Sequence, residues 1–117
     1  MTKKSVDLST KLEPNLKGGK GTIKILNILE TQELYGVGRL FAVSIIPPGA
    51  SIGRHTHEGD FETYYILKGR ALVNDNGSAA ELGPGDMTQC KDGNFHSIEN
   101  IGDEDLEYLA VILYTKE

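Results

Sequence analysis

The chain has 117 residues, with 12 basic and 17 acidic side chains and a net charge of −5. That length carries one core and leaves no room for a second domain. The negative balance argues against nucleic acid, which needs a basic face, and against an anionic membrane surface. Cys90 is the single cysteine, so no internal disulfide is expected. The start, Met1-Thr-Lys-Lys-Ser-Val-Asp, has charge but no apolar run behind it and does not read as a secretory signal. No apolar stretch approaches the ~20 residues that span a bilayer. A reducing cytoplasm is the expected compartment.

In chain order, residues 1–21 are polar and interrupted by Pro14, Gly18, Gly19 and Gly21, which predicts an N-terminal arm without a packed element. Lys20 lies among glycines but lacks the order of a phosphate-binding loop. Residues 22–117 are expected to form the single domain. Thr22 to Leu29 is rich in branched residues and predicts a strand. Glu30 to Glu33 reads as a short turn. Arg39 to Ile46 is a strand stopped by Pro47-Pro48-Gly49. Ile52 to Thr56 is the next. Phe61 to Leu67 and Ala71 to Val73 flank Lys68-Gly69, which reads as a tight hairpin. Asp75-Asn76-Gly77 is the strongest turn signal. Leu82 to Asp86 is a second turn. Short strands follow at Met87 to Cys90 and Phe95 to Glu99, and Leu106 to Tyr114 closes the chain. Many short strands at even spacing predict an all-β sandwich or barrel.

The chain has three histidines, and two of them form His55-Thr56-His57, with Glu62 five residues on. On an extended strand, side chains two apart share a face, with Cα atoms about 6.5–7 Å apart. Two such imidazoles can converge on one ion at about 2.0–2.1 Å. Glu62 adds an oxygen if the chain turns back after Glu58-Gly59-Asp60.

The frame around this pair is specific. Gly49 to Gly69 matches G-x5-H-x-H-x4-E-x6-G, with His55, His57 and Glu62 at the polar positions. Gly85 to Asn100 matches G-x5-P-x-G-x2-H-x3-N through Gly85, Gly93, His96 and Asn100, with Lys91 in place of the proline. These two stretches resemble the paired motifs of the cupin family. The resemblance implies a double-stranded β-helix, or jelly-roll, barrel. It implies one divalent transition metal held by His55, His57, Glu62 and His96. Manganese or iron suits a mixed imidazole and carboxylate set, and nickel or zinc can enter when available. The missing proline bears on a turn and not on a ligand. Small cupins commonly dimerise, so a homodimer is expected, with the Thr22 to Leu29 strand and the arm packing on a partner.

Alternation along the strands predicts neighbours for the site. Tyr64 and Ile66 share a face with Glu62, Gly53 with His55 and His57, and Ile98 and Asn100 with His96. Arg54, Thr56, Phe95 and Ser97 are expected to face away. The facing of Phe41, Val43, Ile45, Met87 and Gln89 stays open. A pocket lined by Tyr64, Ile66 and Ile98 is expected above the metal, with Tyr64 as wall rather than catalyst. Cys90 reads as a small core residue. Four protein ligands leave two positions of an octahedral ion for water or substrate. The functional expectation is a metal-dependent enzyme on a small oxygen-rich molecule, of dioxygenase, decarboxylase or isomerase type. The alternative is a small-molecule or metal-binding module without turnover.

Overall fold

The computed structural model describes residues 1–116. Its ten strands are β1 (Ser9–Pro14), β2 (Thr22–Leu29), β3 (Gly38–Ile46), β4 (Ser51–Thr56), β5 (Asp60–Lys68), β6 (Ala71–Asp75), β7 (Ser78–Leu82), β8 (Met87–Cys90), β9 (Phe95–Asn100) and β10 (Leu106–Tyr114). They form a six-stranded sheet, β1-β2-β3-β10-β5-β8, and a four-stranded sheet, β4-β9-β6-β7. All the pairings are antiparallel. The two sheets enclose one core, and the fold is the double-stranded β-helix expected from the motifs.

The core follows from period-two alternation. Ala42, Ser44 and Ile46 of β3, Tyr64 and Ile66 of β5, and Tyr108, Ala110 and Ile112 of β10 point inward and are buried. Phe41, Val43 and Ile45 point the other way, onto the outer surface of the larger sheet, with Leu109 opposite Val43 and Val111 opposite Phe41. Met87 also faces outward, next to Tyr65, and both are exposed. That sheet is therefore apolar on both faces.

Asn76-Gly77 forms the two-residue hairpin between β6 and β7, with both residues at positive φ (52° and 98°), the combination that matches strand twist. Lys68-Gly69 is different from its expectation. β5 pairs with β10 and β8, whereas β6 pairs with β7 and β9. The short link is a crossover between sheets, not a hairpin. Two strands separated by a glycine look alike in sequence in either case.

The N-terminal stretch also differs. Residues 9–14 form β1, paired along its length with β2. Lys3 Nζ reaches the Ile28 carbonyl and the Glu33 carboxylate. Leu16 packs against the core. The expectation of a segment without a packed element is corrected, because pairing partners far along the chain supply what its composition lacks. β2, expected to be a free edge, lies between β1 and β3. The edge is β1, blunted by Pro14, whose nitrogen cannot donate.

Candidate metal centre

His55 on β4 stands directly opposite His96 on β9. Glu62 comes from β5 in the other sheet, so the site bridges the barrel interior. His57 follows the last residue of β4. Its N–H donates to Asn94 O at 3.0 Å, and its carbonyl accepts from Gly93 N–H at 2.7 Å. The β8–β9 loop thereby fixes the third imidazole.

One ligand atom from each of His55, His57, Glu62 and His96 lies within 4.8 Å of the others, so the group can hold a metal ion. Nε2 of His96 is 2.9 Å from Nε2 of His55 and 3.1 Å from Nε2 of His57. Glu62 Oε1 lies 3.0 Å from His96, 3.1 Å from His57 and 3.7 Å from His55. Donors at about 2.1 Å from one ion at right angles would be about 3.0 Å apart, so most edges fit. Three nitrogens at such spacing, with one carboxylate, suit a divalent cation far better than one another.

The electrostatics agree. Burial pushes the Glu62 carboxyl up, but hydrogen bonds with His55, His57 and His96 outweigh it and hold the group far below the usual carboxylate range. Burial lowers His57, yet bonds to Glu62 and Asp60 carry it above its ordinary value. Burial also lowers His96, and here Glu62 does not fully compensate. Burial raises the phenols of Tyr64 and Tyr108, which stay protonated.

Outer partners orient two of the imidazoles. His55 Nδ1–H donates to the Gly53 carbonyl at 2.8 Å, and His57 Nδ1–H donates to Asp60 Oδ1 at 2.8 Å. Each bond leaves Nε2 bare for an ion. Arg39 Nε in turn donates to Asp60 Oδ2 at 2.9 Å. Sequence reasoning used Asp60 only as part of a turn. Its place three residues after His57 was an available signal. Arg39, on β3, carried none.

A cavity of about 210 Å³ opens over the group. Its wall includes Tyr64, Tyr108, Ile52, Leu16, Lys17 and Arg39, together with His55, His57 and Glu62. Tyr64 stacks on His96 with ring centroids 5.0 Å apart. Ile66 and Ile98, expected on the wall, lie in the closed core at 0% and 1% exposure and do not line this cavity. Gly53 does not share the His55 face either. A register shift between Ile52 and His55 turns Ile52 inward instead. A Cβ on Gly53 would come within 2.0 Å of Lys17 O, so only glycine lets that turn approach β4. Arg54 faces outward over the Phe95 ring at 3.6 Å. Thr56 is exposed but touches the cavity rim. Asn100 is buried and braces the chain, donating to the carbonyls of Ile46 and Glu104.

Known proteins share this fold. The chain is 42% identical over 113 residues to an oxalate-binding protein of Thermotoga maritima, covering 97% of this chain and 93% of that one. A crystal structure of a predicted oxalate decarboxylase from Thermotoga maritima superposes with a TM-score of 0.93 at 41% identity, covering 97% of this chain and 99% of the other. A Thermus thermophilus protein shares the fold at 21% identity and a TM-score of 0.74, over 97% of this chain and 96% of that one. The Cupin domain pattern matches residues 42–112, from the middle of β3 to β10 and across the whole histidine–glutamate group, and the chain belongs to the cupin family.

Proposed function

We propose that the chain binds one divalent transition metal through Nε2 of His55, His57 and His96 and a carboxylate oxygen of Glu62, and that this centre takes a small carboxylate of the oxalate type. The observation that carries the reading is the convergence of four ligand atoms beneath a cavity whose wall holds two cationic side chains, Lys17 and Arg39. Manganese or iron is the preferred ion, with nickel or zinc as occupants set by availability. When bound, the ion supplies a Lewis-acidic positive centre. Three neutral imidazoles and one carboxylate leave it a net charge of about +1. Lys17 and Arg39 add to that field. The name of the Thermotoga maritima relative supports oxalate.

Binding without turnover is our first reading. Apart from the ligand group, the titratable side chains on the wall are Lys17, Arg39, Tyr64 and Tyr108, and no second carboxylate is among them. The runner-up is a metal-dependent enzyme of decarboxylase, dioxygenase or isomerase type. It draws support from the two buried phenols on the cavity wall, Tyr64 and Tyr108, which stay protonated and can donate hydrogen bonds to charge that develops on a bound substrate.

The test is calorimetry with oxalate on metal-loaded and metal-stripped protein, beside His57→Ala. Saturable binding that disappears with the metal, and a His57→Ala protein without bound metal, are expected. Oxalate binding that ignores metal removal would sink the reading. Formate and carbon dioxide assays on the same samples decide between binder and decarboxylase.

We also propose a homodimer through the outer face of the larger sheet. Phe41, Val43, Ile45, Leu109 and Val111 form a contiguous apolar surface there, and apolar patches of this kind mark interfaces. A two-fold pair is the commonest way to cover one. We assign residues 22–116 to the barrel and residues 1–21 to an N-terminal extension of its larger sheet, in a reducing compartment that suits the lone thiol of Cys90; residue 117 of the expected 22–117 domain lies outside the described residues.

A further inference from the structure

We infer that Asp75 is the outer partner of His96: its carboxylate accepts the Nδ1–H of His96, by turning its side chain or across one buried water, and so keeps Nε2 bare for the ion. The inference rests on the metal-centre reading. It starts from an asymmetry among the three imidazoles. His55 and His57 each have an acceptor on Nδ1, at 2.8 Å in both cases. His96 Nδ1 is buried and has no protein partner.

The residue directly opposite His96 on β6 is Asp75. Opposed side chains on one sheet face have Cβ atoms about 4.5–5.5 Å apart. Asp75 follows Ala71 and Val73 in the alternation of β6, and both of those are buried in the core. Its side chain therefore points into the barrel, toward His96. Its Oδ1 is also buried and without a partner. Among the described residues only three side-chain polar atoms share that condition, and the third is the Tyr108 hydroxyl. A donor and an acceptor, each costly to bury alone, thus sit side by side.

Turn chemistry does not account for Asp75. Asn74 Oδ1 accepts from Gly77 N–H at 2.8 Å, and Asn76 Oδ1 accepts from Phe95 N–H at 3.3 Å. Those two side chains serve the hairpin and leave the Asp75 carboxylate to the barrel interior. A carboxylate on the far nitrogen of a ligating histidine fixes its tautomer and ring orientation. Asp75 is a positioning residue in this sense, parallel to Asp60 beside His57.

The experiment uses ¹⁵N-histidine NMR on metal-free protein at pH 8 and zinc titrations of the parent, Asp75→Ala and Asp75→Asn. The parent should hold His96 as the Nδ1–H tautomer. Asp75→Ala should mix the tautomers and weaken zinc binding about 10–100-fold. Asp75→Asn, whose amide oxygen still accepts, should recover most of both. A parent with His96 in the Nε2–H form, or an Asp75→Ala protein that matches the parent in tautomer and zinc affinity, overturns the inference. If Asp75→Ala does not fold, the parent tautomer and Asp75→Asn still decide it. A parent that takes up no zinc overturns the metal reading, while the metal-free tautomer still reports on Asp75.

Discussion

His55 and His96 face each other across the β4–β9 ladder with their Nε2 atoms 2.9 Å apart, yet they meet solvent very differently. The His55 side chain keeps 13% exposure and lines the cavity, whereas His96 keeps 1% and is sealed behind it. Access to the group is therefore from the His55 side. A ligand arriving there passes Arg39 and Lys17 on the same wall.

Arg39→Gln should weaken oxalate binding about 10–100-fold, the range of a lost charge-assisted hydrogen bond. Metal content should stay near that of the parent, because Asp60 remains to hold His57. Ile66→Ala is the contrasting change. It should cost roughly 2–5 kcal/mol of stability through its cavity and leave oxalate affinity per folded molecule alone. Calorimetry and denaturant melts measure both. Reversal of the two patterns would refute the division between wall and core.

Metal affinity should fall on acidification. His57 titrates above its ordinary value of 6.5 because its bonds to Glu62 and Asp60 outweigh burial. Below that folded value the ion must displace a proton, so affinity drops about tenfold per pH unit for each proton released. Titrations at pH 6 and pH 8 in two buffers of different ionisation heat count the protons. Affinity that is flat across this window contradicts the assignment. In the metal-free protein the sign for Glu62 is opposite. Its pKa is lowered from 4.5, so its stabilisation is present above that pH and is lost as pH falls toward the folded value.

Cys90 should be inert in the native state. It is fully buried, and burial, aided by the charges of Asp75, Glu62 and Asp60, pushes its thiol up to about 11. The ordinary value is 9.0, so thiolate at pH 8 is about a hundredfold scarcer than in a free thiol. An aromatic disulfide reagent should label it only after denaturation. Because the folded pKa is raised, its contribution to stability is complete below pH 9 and is lost as pH rises through 11. Rapid native labelling at pH 8 would show the strand β8 opening freely.

The outer face of the larger sheet gives a test of assembly. Val43→Glu and Leu109→Glu, which lie opposite each other, should convert a species of about twice the 12.8 kDa chain to a monomer by light scattering. The fold should survive, since both side chains point away from the core. A parent that is monomeric at micromolar concentration removes the dimer.

The sequence by itself determined most of the barrel strands, the inward faces of Tyr64 and Ile66 on β5 and of His96, Ile98 and Asn100 on β9, and the grouping of His55, His57, Glu62 and His96 as candidate ligands. Each depends on short-range regularity: alternation along β5 and β9, the glycines around His55-Thr56-His57, and the spacing of Gly93, His96 and Asn100. Tertiary structure decided the rest, because the partners involved are far apart in the chain. Arg39 and Asp60 are separated by 21 residues and meet only when β3 and β5 flank β10. The polar N-terminal stretch became a strand and a cavity wall because β2 offered an unpaired edge. Lys68-Gly69 became a crossover because β5 and β6 found partners in different sheets. A single register shift before His55 exchanged Gly53 for Ile52 on the inner face, and no local pattern announces such a shift.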